Sequence, residues 1–387
     1  MFGKLQAGAA GLALILAAGC ETTDYGQREV GARPTDQSSS EASIWYQMDE
    51  AEKNLVTSGR VETDPALNAY VRQHACAVTI DYCDDLRIYI LKDPSANAAM
   101  APNGMMLVHT GLLLRAEDAD QLASILAHEF VHFHENHTME RYATAKNMNR
   151  AMIATAGTGL IGLIGILAIA DSAASFSQSQ ETEADLEGFK HLTSAGYNPE
   201  SAVLMMQHMY REFDASTHDD KQKRANKGVL FASHPDFPQR IAALERKALE
   251  FPYQPTSPEA HREIIRPFLE TWLDEQIVLR DYGATLHLID RMSELGSDIG
   301  VLSSARGRLL MLRGEEGDKE AATEAFILAT QSSDAPASAY RALGDHYRDT
   351  GTSEKAITAF ELYLEKEPEA RDKALIEAWI EDLKEQQ

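Results

Sequence analysis

The sequence predicts a mostly α protein in two parts, and three observations carry that reading. The run 119–141 contains no Gly or Pro and spaces its apolar residues as a helix does. A proline-rich break, Phe251-Pro252-Tyr253-Gln254-Pro255-Thr256-Ser257-Pro258, then interrupts the composition. Beyond it the pattern is helical throughout and repeats itself. At 387 residues there is chain enough for two ordinary domains, and 44% hydrophobic with 25% charged residues excludes a wholly disordered one. The balance of 36 Lys plus Arg against 60 Asp plus Glu leaves a net charge of −24, which repels phosphate backbones and excludes nucleic acid as a natural partner. Three cysteines cannot build a disulfide scaffold or a four-cysteine metal site.

Residues 1–20 place Lys4 before an apolar stretch, about 7–18, that is too short to span a bilayer comfortably. The stretch ends in Leu16-Ala17-Ala18-Gly19-Cys20, which resembles the lipobox of a bacterial lipoprotein, with Ala17 where Leu is usual. The resemblance implies lipidation of Cys20; an ordinary cleaved signal peptide is the alternative. Glu21 rather than Asp follows the cysteine, which by resemblance to enterobacterial sorting favours the outer membrane. Residues 21–43 are polar and turn-rich and read as a flexible tether. Export would make Cys76 and Cys83 the natural disulfide pair, against the alternative of two buried thiols.

His128-Glu129-Phe130-Val131-His132 places two histidines four residues apart, one turn along a helix. Both imidazoles can then reach one Zn²⁺, while Glu129 faces the open side as a general base. A solvated, His-rich helix is the plain alternative. A third ligand is offered by Glu181-Thr182-Glu183-Ala184-Asp185, which opens another helical run. Glu181 and Asp185 share a face. Glu181 completes a two-histidine, one-glutamate set as in the gluzincin class, and Asp185 is placed to orient a ligand imidazole. Glu183 points elsewhere and reads as solvated. On a continuous helix His134 and His137 fall at the wrong angles, so both read as surface or packing residues.

The stretch 64–246 resembles the HtpX/BepA-type zinc metallopeptidase family, which also contains the CAAX prenyl endopeptidases. Five blocks match in order: Asn97-Ala98; Pro102-Asn103-Gly104 leading into a strand and Thr110-Gly111-Leu112-Leu113; Leu126-Ala127-His128-Glu129 with His137; Glu181 through Asp185; and Ser233-His234-Pro235 with Arg240-Ile241. The resemblance implies a gluzincin domain, helical with a small β-sheet, whose metal ligands are His128, His132 and Glu181 around one Zn²⁺. Glu129 is then the catalytic base, with Asp185 and Arg240 supporting the ligands. Gly104, Met105, Met106, Leu107 and Val108 would form an edge strand to which an extended, unfolded substrate adds. His234 would stabilise an oxyanion, or close the site as a fourth ligand, or simply shape a His-Pro turn.

The uncharged stretch 151–170 is long enough for a membrane span. A single crossing there would part the His128/His132 helix from Glu181, so a buried or membrane-apposed hairpin is the preferred reading. In the C-terminal half, Tyr340, Leu343, Gly344, Tyr347, Ala356, Phe360 and Pro368 fall at the spacings of a tetratricopeptide repeat, with Tyr363 in place of a small residue. Gly307, Gly314, Ala322, Phe326 and Ala329 repeat the scheme after a turn about three residues longer. A degenerate copy occupies about 266–297, with Gly283 at its turn.

The expected organisation is a signal peptide over 1–20, a tether over 21–43, a zinc metallopeptidase domain over 44–250, a linker over 251–262 and an α-solenoid of repeats over 263–387. The expected function is endopeptidase action on misfolded or unassembled envelope proteins, on the periplasmic side and lipid-anchored in the outer membrane. The repeats would recruit clients or an envelope partner. The rival reading is a gated, chaperone-like binding protein with little proteolytic turnover.

Overall fold

The computed structural model describes residues 26–36, 39–148, 176–218, 237–252 and 256–386. Cys20 and the apolar stretch 151–170 lie outside the described residues. Helix α1 (Ser40–Val56) opens on Ser39, whose hydroxyl accepts from the Ala42 N–H. Helix α2 (Pro65–Thr79) opens on Asp64, which accepts from the Leu67 N–H, with Pro65 in the first helical position. Leu67, Val71, Ala75 and Val78 form its buried stripe. A short 3₁₀ turn, Ile80–Tyr82, brings Cys83 back to α2, where it forms a disulfide with Cys76, Cα to Cα 4.8 Å.

Three strands follow: β1 (Arg87–Leu91), β2 (Ala98–Met100) and β3 (Met105–His109). They lie in the order β1-β3-β2, with β1 parallel and β2 antiparallel to β3. After them come α3 (Thr110–Arg115), α4 (Ala119–His134) and α5 (His137–Met148). Alternate residues of β3 serve two cores. Met106 and Val108 join the main core with Leu126 and Phe130 of α4, whereas Met105 and Leu107 join Ile44 and Met48 of α1 and Met139 of α5.

That topology corrects the expected substrate strand. The chain turns back at 101–104, with Gly104 at φ +87°, so β3 pairs on both sides and is buried along its whole length. Gly104 through Val108 therefore form a turn and a central strand. The outer side of β1 is partly taken by 60–62, through the Glu62 N–H to the Ile90 carbonyl and the Lys92 N–H to the Arg60 carbonyl. Among the described residues no strand pairs with the outer side of β2, which lies beside α4.

The helix expected over 119–141 is two helices. Asn136, at φ +56°, breaks it after His134. The tether residues explain the break. The Arg28 N–H donates to the His134 carbonyl at 2.7 Å, its guanidinium donates to Asn136 Oδ1 at 2.6 Å, and Asn136 Nδ2 donates to the Gly26 carbonyl. Buried Arg28 also lies over the rings of Trp45 and Phe133. The Arg28 backbone amide thus satisfies a carbonyl at the helix C-terminus that would otherwise stand open, while its guanidinium holds the Asn136 side chain. Residues 26–36 belong to the folded body, and α1 starts inside the span assigned to the tether.

The remaining helices are α6 (Gln178–Ser194), α7 (Glu200–Asp214), α8 (Phe237–Ala248), α9 (Glu259–Ile265), α10 (Leu269–Val278), α11 (Tyr282–Glu294), α12 (Ile299–Arg313), α13 (Asp318–Gln331), α14 (Ala337–Asp349), α15 (Ser353–Lys366) and α16 (Lys373–Glu385). The pairs α12/α13 and α14/α15 pack along their lengths. In each, a glycine of the first helix admits a phenylalanine of the second: a Cβ on Gly307 would overlap the Phe326 ring, and one on Gly344 the Phe360 ring. Gly283 is no turn glycine. It sits in the first turn of α11, where a Cβ would overlap the Ala215 carbonyl at the end of α7.

The proline-rich break divides the composition without dividing the core. One apolar cluster runs from Leu67 to Leu309. His261 of α9, fully buried, donates through Nε2 to the Leu113 carbonyl and accepts at Nδ1 from the Tyr70 hydroxyl, each at 2.9 Å. Arg115 of α3 pairs with Glu212 of α7 at 2.5 Å and donates to Gln276 of α10, while Arg291 of α11 pairs with Glu117 and donates to the Arg115 carbonyl.

Candidate metal centre

The site is built on α4, α6 and α8. Asp118 caps α4 by accepting from the Gln121 N–H at 2.7 Å, and Ser177 and Gln180 form a reciprocal capping box on α6. Gly188 lets α6 approach closely, since a Cβ there would lie 3.1 Å from the backbone of His128. Across that contact His128, His132 and Glu181 converge, with one ligand atom of each within 4.8 Å of the others. His132 Nε2 lies 3.2 Å from His128 Nε2 and 3.5 Å from Glu181 Oε1, and His128 Nε2 lies 3.8 Å from Glu181 Oε2. Tetrahedral zinc at its usual bond lengths of about 2.0–2.1 Å sets its ligand atoms about 3.3 Å apart. Two imidazoles and a carboxylate at these separations fit that ion.

Each ligand is held from behind. Asp185, one turn after Glu181, brings Oδ1 to 3.1 Å from His128 Nδ1. Arg240 on α8 donates twice to Asp185, at 2.7 Å from Nε and 2.7 Å from Nη2, and its Nη1 lies 2.6 Å from Glu181 Oε2. All three side chains are buried. Burial opposes ionisation of Asp185, yet the hydrogen bonds and charge of Arg240 outweigh it and hold that carboxyl well below the usual range. For Glu181 burial prevails over Arg240 and pushes the group up to about 7. A divalent cation would supply the charge that this carboxylate is short of. Glu129, next in chain to His128, is buried on α4, and its charge acts on the Arg240 guanidinium.

Of the residues expected from local spacing, His128, His132, Glu181 and Asp185 are together here, and Arg240, expected from the resemblance, joins them. His234, and Ser233 and Pro235 with it, lie outside the described residues. His137 lies nearer the site than a continuous helix would put it: it is buried, and its Nδ1 is 3.1 Å from His132 Nδ1. Its Nε2 is 3.3 Å from Glu183 Oε2, and Glu183 is half-exposed. Burial lowers the His137 pKa against the pull of Glu183. Phe176 stacks on the His132 ring at 3.7 Å. The continuous-helix angle misplaces His137; the signal for its true position is the Asn before it, a residue type that tolerates the left-handed conformation. His134 is a packing residue, stacked on Phe130 and 2.8 Å from Glu135 Oε1.

Residues 61–248 match the model of peptidase family M48. The chain is 28% identical over 200 residues to a mitochondrial metalloendopeptidase, OMA1, of Schizosaccharomyces pombe, covering 50% of this chain and 55% of that protein. It is 25% identical over 226 residues to a putative beta-barrel assembly-enhancing protease of Vibrio cholerae, covering 53% and 44%. It is 23% identical over 209 residues to a beta-barrel assembly-enhancing protease of Yersinia pestis, covering 50% and 41%. The chain spans about half the length of the curated relatives it matches. The matched stretch 61–248 is thus similar to peptidases of family M48, and the site described above lies within it. Among the described residues no helix is long and apolar enough to cross a membrane.

Proposed function

We propose that this chain is a zinc-dependent endopeptidase of gluzincin type that hydrolyses misfolded or unassembled proteins of the bacterial envelope. The observation that carries the reading is the convergence of His128, His132 and Glu181 beneath a carboxylate–arginine support, with Glu129 next in chain to the first ligand. A divalent ion held by His128, His132 and Glu181 would supply Lewis-acid polarisation of a peptide carbonyl and a water acidified to near neutral pH. Glu129 takes the proton from the attacking water and passes it to the leaving amine. The outer side of β2, beside α4, is where an extended substrate adds its main chain, and such pairing tolerates many sequences. His234 acts on the same centre, as oxyanion donor or as a closing ligand; a gain of activity in His234→Ala marks a gate, and a loss marks the oxyanion role.

The relatives named as beta-barrel assembly-enhancing proteases support an envelope setting. In this reading Cys20 carries lipid and anchors the chain on the periplasmic side of the outer membrane. Helices α12–α15 are tetratricopeptide repeats that recruit clients or an envelope partner protein, and the recurring glycine–phenylalanine contact supports that assignment. The burial of His132 and Glu181, each 1% exposed at the side chain, favours a second reading, a gated and mainly chaperone-like protein. Casein degradation by wild type and Glu129→Gln, with and without a chelator, separates the two. Cleavage lost in the variant and in chelator supports the peptidase; none from a folded, zinc-loaded protein refutes constitutive proteolysis.

A further inference from the structure

We propose that His137, backed by Glu183, is the positioning residue for His132, so that the two ligand histidines are held by different devices. The inference rests on the metal-site reading above. His128 is held by a carboxylate directly, Asp185 at 3.1 Å from its Nδ1. At the Nδ1 of His132 stands the Nδ1 of His137 at 3.1 Å, and beyond that ring Glu183 at 3.3 Å from Nε2. One set of protons satisfies the whole chain. The Nε2 of His132 faces His128 and Glu181, so as a ligand it must be bare and the ring proton sits on Nδ1. That proton is donated to the Nδ1 of His137, whose own proton is then on Nε2 and is donated to Glu183. The tautomer of His132 is therefore set two residues away, by a carboxylate at the surface.

The backbone is arranged for this contact. The left-handed Asn136 ends α4 and starts α5 in a new direction, which returns His137 to the turn of α4 that carries His132. Thr138 Oγ1 donates to the His132 carbonyl at 3.3 Å and fastens the two helices at the same point. Phe176 closes the other face of the His132 ring. A packing histidine would need neither both ring nitrogens engaged nor an acidic partner.

The test is Co²⁺ titration of the metal-free, full-length protein, followed by the d–d absorption bands and by competition with Zn²⁺. Support partners of this kind contribute about 10–100-fold to metal affinity. His137→Leu is expected to lose that much and to shift the bands. His137→Asn keeps an acceptor where Nδ1 stood and is expected to recover to within a few-fold of wild type, with the wild-type spectrum. Glu183→Ala, at a half-exposed position, is expected to weaken binding several-fold. Wild-type affinity and spectrum in His137→Leu would overturn the proposal, as would a loss in His137→Asn equal to that in the leucine variant. Should the leucine variant not fold, the asparagine and alanine variants decide, an unchanged Glu183→Ala counting against the relay. A wild type that takes up no metal at all would instead refute the site reading.

Discussion

Replacing Arg240 by methionine removes the cation that two buried carboxylates share, and its cost follows from the geometry. Arg240, Asp185 and Glu181 have side chains 8%, 7% and 1% exposed, so water cannot stand in for the lost partner. The guanidinium makes two hydrogen bonds to Asp185 at 2.7 Å and one close contact with Glu181 at 2.6 Å. Breaking a buried pair by deleting one partner costs about 3–5 kcal/mol, chiefly the penalty of the stranded charge. At about 2–4 °C per kcal/mol for a domain near 200 residues, the metal-free Arg240→Met variant should melt about 6–20 °C below wild type by scanning calorimetry. Asp185→Asn in the same background removes one stranded charge, so the double variant should lose about 1–3 kcal/mol less than the sum of the single ones. A melting point within 2 °C of wild type, or strict additivity, would refute the view that Arg240 holds the site through charge.

Three further predictions use other parts of the fold. Burial, reinforced by Asp120 and Glu117, lifts Asp118 to about 6 against the Gln121 amide, so the folded state takes up a proton and stability falls as pH rises from about 4 through 6. Asp118→Asn keeps the cap; it should match wild type near pH 4 and exceed it by up to about 3 kcal/mol at pH 8, and parallel pH–stability curves would contradict this. Gly344→Ala should destabilise by about 1–3 kcal/mol in urea, because the new methyl meets the Phe360 ring, whereas helix propensity alone predicts a gain of up to about 1. Replacing Cys76 and Cys83 by serine should cost about 2–3 kcal/mol under non-reducing conditions and nothing once wild type is reduced; two alkylatable thiols in untreated wild type would sink the disulfide.

What could be read in advance was what depends on local spacing. His128 and His132 are four apart on one helix, and Glu181 and Asp185 four apart on another, so each pair shares a face whatever the tertiary structure. The pairing of the strands is non-local. Nothing in the short β2 announces that it folds back on β3, and a five-residue apolar strand reads alike at the edge or in the centre. His137 was hidden for a different reason: one left-handed residue resets the rotation of everything after it. Gly283 shows the same ambiguity, since a turn and a close helix approach both ask for a residue without a side chain. The composition break at Pro252 marks a real change of pattern, yet His261 and the Arg115–Glu212–Gln276 cluster carry the packing straight across it.

The grip of Arg28 on the end of α4 has a consequence for reach. Gly26 follows Cys20 by only six residues, and an extended chain covers about 3.3–3.6 Å per residue. A lipid on Cys20 would therefore hold the end of α4 within about 20 Å of the bilayer, and His132 sits within one turn of that end. Under the function proposed above, a lipid-anchored chain would patrol a thin layer beside the bilayer rather than a volume, meeting chains at the membrane surface and missing those that diffuse away. Its working radius would be written in the half-dozen residues before Arg28. Lengthening that leash would widen the layer without touching a single group at the metal.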